Sequence, residues 1–332
     1  MSILLSLCRY VRVVVQPNGK KNEERKFAVV KRLQQGESMW WKITMFENIF
    51  LIFALFMSAM IEYPSSLKTG YASVNGLKMY YEIHGTDNGK PPLVLIHGGG
   101  STITTTFGRV LPLFAQQRQV IAVELQGHGH TADIDRLETF EQDADDIAAL
   151  LKELNITQAD FFGFSNGGST ALQIGIRHPR IVRTLVVASA IFKRDGMPPQ
   201  FWEWMKNASL ENMPVKLKEA YLAVAPNPKD LIKMHDNDAK RMVEFKDWRA
   251  EDIQSIRSPT LIINGDADVV RPEHAMEMFR LLPNAKLAIL PGGHGEYIGE
   301  ILAAKDGSKL PELTVAFIEE FLDAQQTERS MK

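Results

Sequence analysis

Residues 159–178, ADFFGFSNGGSTALQIGIRH, decide how this chain folds. Ala159 to Phe164 is a short apolar run of the kind a strand buried on both faces requires, and Gly167 to His178 reads as a helix. Between them stands Gly163-Phe164-Ser165-Asn166-Gly167. A bare G-x-S-x-G is a weak signal, but between an apolar strand and a helix it has the context of a nucleophile elbow. Such a turn holds its serine in a strained conformation, and glycines two residues to either side let strand and helix approach without Cβ clashes.

The same alternation extends outward in both directions. Upstream, YASV and LKMYYEI flank Asn75-Gly76, a pair suited to a two-residue hairpin turn. LVLI, after Pro91-Pro92, and QVIAVE (Gln119 to Glu124) are two more buried-strand runs. Thr139 with Gln142 three residues on is a capping-box arrangement, and Phe140, Ala144, Ile147, Leu151 and Leu154 share one helical face. Downstream, TLVVASA, TLIING, PEHAMEMFRLL, KLAIL and LPELTVAFIEEFL repeat the scheme. Strands alternating with helices predict a mainly parallel central sheet with helices on both faces, its ligand site beyond the carboxyl ends of the strands.

One segment breaks the rhythm. Residues 191–258 are helical and irregular, too long for a crossover loop, and hold Trp202, Trp204 and Trp248 together with five of the 14 methionines. That composition predicts a helical lid over an apolar pocket, with Phe164, Trp202 and Trp204 as candidate pocket residues, although most such side chains fill a lid's own core.

A serine needs a base, and the base an orienting acid. His294 follows the strand LAIL at Pro-Gly-Gly, on a strand-end loop, and is the candidate base. The remaining histidines read as structural or solvated: His97 and His128 flank glycine loops, His178 ends the helix after Ser165, His274 sits in a late helix, and His84, His130 and His235 lack a strand-end context. Between Ser165 and His294, TLIINGDADVVRP (260–272) offers both Asp266 and Asp268 as the acid.

With these residues in view the chain resembles the α/β-hydrolase superfamily, in the branch with a lid inserted after the sixth strand. The resemblance runs from about Tyr71 to Leu322 and rests on His97-Gly98-Gly99-Gly100, Gly127-His128-Gly129, the elbow, Gly265-Asp266-Ala267-Asp268 and Gly293-His294. The chain order Ser, Asp, His is the one this fold uses. The resemblance implies the triad Ser165, Asp268 and His294, with Asp266 left as a turn residue. It also implies an oxyanion hole from the backbone N–H groups of Asn166 and Gly99, Gly100 being the competing choice. The division it implies is 68–190 and 259–326 for the core, 191–258 for the lid and 1–67 for an N-terminal extension. Two departures leave the subfamily open. The elbow is not the G-D-S-A-G that accompanies His-Gly-Gly-Gly in hormone-sensitive-lipase-like esterases, and the usual D-x-R-G-x-G-x-S loop appears as ELQGHGHT (124–131).

A serine nucleophile argues against dehalogenase and epoxide hydrolase chemistry, where members of this family use aspartate. What the residues predict is hydrolysis of a small, apolar carboxylic ester through an acyl-enzyme on Ser165, with neither metal nor organic cofactor. The alternatives are a cofactor-free perhydrolase of the haloperoxidase type, a lactonase or a carbon–carbon bond hydrolase and, from another class, a ligand receptor with vestigial hydrolysis.

Composition sets the outer bounds. The 332 residues, 45% hydrophobic, suffice for one large core. Lys and Arg number 38 against 40 Asp and Glu, which leaves no field to hold nucleic acid, and the single cysteine, Cys8, excludes an internal disulfide. The first 67 residues read differently. Ile49 to Ile61 (IFLIFALFMSAMI) is an apolar run interrupted only by Ser58, short for a membrane span and better suited to the core of a signal peptide. A start at Met39 would put Lys42 ahead of the run and the small residues Ser58 and Ala59 near its end, with Glu47 and Met57 fitting less well. The expectation is an exported or membrane-associated chain, oligomeric state unassigned, against the plainer reading of a cytoplasmic one.

Overall fold

The computed structural model of the chain describes residues 67–330, with 326–330 described by backbone alone. The apolar run 49–61 and the rest of the N-terminal extension up to residue 66 lie outside the described residues. Among the described residues no helix is long and apolar enough to cross a membrane. The expectation of export or membrane association is corrected accordingly: it rested on 49–61 alone, and nothing in the described fold carries it.

The hairpin forms as read. Strands β1 (Lys68–Val74) and β2 (Leu77–His84) pair antiparallel across Asn75 and Gly76, whose φ angles of 49° and 84° are those the two-residue turn needs. Then come β3 (Leu93–Ile96), β4 (Val120–Val123), β5 (Ala159–Phe164), β6 (Val182–Ala188), β7 (Thr260–Gly265) and β8 (Ala285–Leu290). They make one sheet in the order β1-β2-β4-β3-β5-β6-β7-β8, antiparallel at β1, β2 and β4 and parallel from β4 onward.

Helices cover both faces because the strands alternate. Val94 and Ile96 join a core with Ile147, Leu150 and Leu151 of α3 (Phe140–Glu153), Leu172 of α4 (Asn166–Arg177) and Met278 of α9 (Pro272–Leu281). Leu93 and Leu95 face the other way, toward Phe107 of α1 (Ile103–Phe107), Phe114 of α2 (Leu111–Ala115) and Ile318 of α10 (Leu310–Ser330). At the start of α3 half of the expected capping box forms. Thr139 Oγ1 accepts the Gln142 N–H at 3.0 Å, but the Gln142 side chain turns forward to donate to Asp146 instead of back to the cap.

The segment between β6 and β7 is a helical insertion: α5 (Pro199–Lys206), α6 (Val215–Val224), α7 (Leu231–Glu244) and α8 (Ala250–Gln254), with a 3₁₀ turn before each of the first three. Its last part returns to the core, since Ile253 and Ile256 are buried with the residues of α4 and α9.

Candidate active site

β5 lies at the middle of the parallel strands, and the chain leaves it at Ser165 with φ 56° and ψ −121°, a conformation an L-residue adopts only under constraint. The flanking glycines are what make the turn possible. A Cβ on Gly163 would strike the Gly167 carbonyl, and one on Gly167 would strike the carbonyl of Ile96.

The loops after β7 and β8 bring two more side chains to this point. His294 Nε2 is 3.1 Å from Ser165 Oγ, and His294 Nδ1 is 2.7 Å from Asp268 Oδ1. Because an ionised carboxylate only accepts, Nδ1 carries the proton and Nε2 is left to accept the serine hydroxyl. Asp268 is buried. Burial alone would push its carboxyl up, but hydrogen bonds from His294, Ser189 and the Val270 N–H, with the His294 charge, hold it below its ordinary range. Asp266 does other work. It is exposed, and its Oδ1 accepts the Gly292 N–H at 2.8 Å, tying the β7 turn to the loop ahead of His294.

Ser189 and Tyr297 extend the chain of contacts and had no role in the sequence reading. Ser189 Oγ donates to Asp268 Oδ2 and accepts from Tyr297 Oη at 2.6 Å. Ser189 directly follows β6, in the strand-end position that would have pointed to it.

The Asn166 and Gly99 N–H groups take no hydrogen-bond partner among the described residues, whereas Gly100 N–H donates to Asp238 Oδ2. A cavity of about 240 Å³ opens above Ser165 and His294, walled by Met197, Phe201, Trp204, Met213, Leu217 and Met234 of the insertion. A larger, shallower groove around Asn75, Arg136, Lys152 and His178 shares no wall residue with it.

The candidate pocket residues divide. Trp204 is in the cavity wall and 50% exposed. Trp202 is not: it packs inside the insertion against Phe245, its Nε1 donating to the Arg194 carbonyl at 2.8 Å with the Arg194 guanidinium 3.8 Å over its ring. Phe164 is also absent from the wall, because it is the last residue of β5 and packs beneath His294 with ring centroids 4.7 Å apart.

One cluster has metal-ligand types. Asp195, His274 and Glu277 bring ligand atoms within 4.8 Å of one another. The tautomer argues against a metal there, however. His274 Nε2 accepts the Phe192 N–H at 3.2 Å, so Nδ1, which faces the carboxylates, carries the proton and has no lone pair to offer.

The fold and this site define a serine hydrolase of the α/β-hydrolase superfamily. A family model described as serine aminopeptidase, S33 matches residues 88–301, and the chain belongs to that family. Among curated proteins the chain is similar to the dihydrolipoyllysine-residue acetyltransferase component of the acetoin cleaving system of Pseudomonas putida. That match is 28% identical over 242 residues, 67% of this chain and 63% of that protein, so the chain spans less than two thirds of this relative. It is also similar to a 2-hydroxymuconate semialdehyde hydrolase of Pseudomonas sp. strain CF600 (38% over 99 residues, 29% of this chain and 35% of that one). A non-heme haloperoxidase of Rhodococcus erythropolis matches at 23% over 255 residues, 67% of this chain and 90% of that one. Solved structures share the fold. An enol-lactonase of Burkholderia xenovorans LB400 superposes with TM-score 0.61 at 20% identity, covering 76% of this chain and 99% of that one. A thermophilic esterase of Thermogutta terrifontis does so with TM-score 0.60 at 19% identity, covering 79% and 99%.

Proposed function

We propose that the chain transfers the acyl group of a neutral, apolar carboxylic ester, cyclic esters included, to water through an acyl-enzyme on Ser165. In this reading His294 takes the serine proton as Oγ attacks the carbonyl carbon, and returns it to the leaving alcohol. It then activates the water that releases the acid. Asp268 holds the imidazole in the required tautomer and balances the imidazolium, while the Asn166 and Gly99 N–H groups receive the negative charge on the carbonyl oxygen.

The observation that carries this is the placement of a serine hydroxyl 3.1 Å from His294 Nε2 at the floor of a methionine- and aromatic-walled cavity. The relatives favour the alternatives read from the sequence as well as the small, apolar carboxylic ester, since an enol-lactonase, a semialdehyde hydrolase and a haloperoxidase stand among them. An aminopeptidase would have to seat a free ammonium. Asp238, the carboxylate in the cavity wall, already has its charge balanced by the His128 imidazolium, which weighs against that activity for this chain.

The purified chain should be assayed on p-nitrophenyl esters of graded acyl length, an acyl lactone, an aminoacyl amide, a vinylogous 1,5-diketone and acetate with hydrogen peroxide. Turnover of esters and lactones, rising from acetate to medium chains, is expected. Turnover confined to the amide, to carbon–carbon cleavage or to peracid formation would replace this reading.

A further inference from the structure

The glycines at 98–100 have no side chains, so their loop takes its shape from whatever holds its amides. Gly98 N–H donates to Thr106 Oγ1 at 3.4 Å, and the His97 Nδ1–H donates to the Gly98 carbonyl at 2.7 Å. Gly100 N–H donates to Asp238 Oδ2. What remains is Gly99 N–H, the group assigned above to the oxyanion. Gly100 N–H also lies 3.2 Å from His128 Nε2, a core group, but the carboxylate that accepts it stands on α7, in the insertion, so this hold on the loop comes in part from outside the core.

The carboxylate does not stand alone. His128 Nε2 is 3.0 Å from Asp238 Oδ2, and His128 Nδ1 is 2.7 Å from the Gln126 carbonyl, so both ring nitrogens donate and the ring is an imidazolium. Burial alone would push His128 down, but the charge and hydrogen bond of Asp238, with Glu138, hold it up at about 9. The pairing matters, because an uncompensated carboxylate beside the hole would oppose the charge that develops there. One turn further along α7, Arg241 pairs with Glu138 at 2.8 Å and Asp143 at 3.0 Å.

We propose that Asp238 is a positioning residue: by holding Gly100 N–H from the inserted helix it aims Gly99 N–H at the oxyanion, so that the hole is complete only when α7 is docked. His128 keeps the arrangement neutral. The inference rests on the roles given above to Ser165 and Gly99.

The test uses the full chain on p-nitrophenyl butyrate, with Ser165→Ala run alongside. Asp238→Ala should lower kcat about 100-fold, the scale of losing one oxyanion donor, with KM within about 3-fold. Asp238→Asn keeps an oxygen for Gly100 N–H and should stay within about 5-fold of the wild type. Wild-type kcat should fall above about pH 9, as His128 loses its proton and leaves Asp238 uncompensated, and Asp238→Asn should lack that fall. The groups facing His128 are Asp238 and Arg241 from α7, Glu138 from the loop before α3, Asp143 from the first turn of α3, and His97, whose ring centroid is 5.0 Å away. Wild-type kcat in Asp238→Ala, a rise in KM alone, or equal losses in the alanine and asparagine chains would each overturn the proposal. If the alanine chain does not fold, Asp238→Glu decides: displacing the carboxylate by one methylene should cost about 10-fold in kcat, and an unchanged kcat overturns the proposal. Turnover by Ser165→Ala would instead overturn the site reading beneath it.

Discussion

The strand-end loops and the inserted helices build this site by different means. Ser165, Asp268 and His294 each stand just beyond a parallel strand, β5, β7 and β8, whose carboxyl ends are fixed by unbroken pairing from Asp160 onward in β5 and along β7 and β8. The insertion has no such frame. It is held by buried ion pairs, Arg241 with Glu138 and Asp143, and by methionine and aromatic contacts that adapt readily. In the proposed reading, the chemistry that depends on fractions of an ångström sits on the rigid part, and the cavity wall sits on the adaptable one.

The comparison breaks first if the strand-end loops tolerate change. Asp268→Asn should lower kcat/KM by about 10⁴ with little loss of stability, as an amide does in a comparable triad. Asp266→Asn should keep most activity and lose on the order of 1 kcal/mol in urea unfolding. The reverse pattern would move the orienting role to Asp266.

Two buried charge clusters sharpen it. Asp160, at the start of β5, accepts from Arg183 and Arg118, wholly inside the core. Arg183→Met removes the two-pronged partner of that carboxylate, leaving only Arg118 and Thr184 on it, and should cost about 3 kcal/mol without altering substrate preference. Arg241→Met should cost a similar amount and also change the ratio of kcat/KM between short and long acyl chains, because α7 supplies Met234 and Met242 to the cavity wall. An unchanged ratio would mean that α7 keeps its place without its ion pairs.

Within the insertion the two tryptophans should part. Trp204→Ala should shift chain-length preference several-fold while leaving the rate on acetate esters near wild type. Trp202→Ala should lower stability by roughly 3–5 kcal/mol, as a buried tryptophan does, and leave the profile alone. Identical profiles for the two variants would merge their roles.

The smallest effect is one of pH. Burial holds His97 down to about 3 and His274 to about 4, so the stability they confer is complete above the unfolded value near 6.5 and is lost as pH falls toward 4. His128 has the opposite sign: its contribution is complete below about 6.5 and is lost as pH rises through about 9. Urea midpoints measured from pH 4 to 10 should peak near about pH 6.5 to 7, with Asp238→Asn removing the alkaline limb. A flat profile would show that these histidines titrate alike in folded and unfolded chains.

Much of this was legible because it is local. The elbow glycines, the Asn75-Gly76 turn and the short apolar strands each act through their nearest neighbours, and all appear where the sequence puts them. Asp238 carried no signal, being one acid among several on an exposed-looking helix, and His128 read as one more histidine on a glycine loop. The two are 110 positions apart and acquire meaning only from each other. Trp202 and Trp204 could not be told apart by type. Two positions apart on a short helix they point to different sides, and only the packing of Phe245 and Arg194 against one of them decides which is buried.

The sequence by itself determined the order of strands and helices, the strained serine turn, and the loops that bring Asp268 and His294 to it, because backbone sterics and hydrophobic periodicity act over a few residues at a time. The tertiary structure alone decided which amides of the glycine loop stay unpaired, which side chains of the insertion face the cavity, and that a carboxylate of the insertion meets a core imidazole beside Gly100. Those outcomes depend on pairing between groups far apart in the chain, in a buried setting where an ion or a polar atom is stable only if its partner arrives with it.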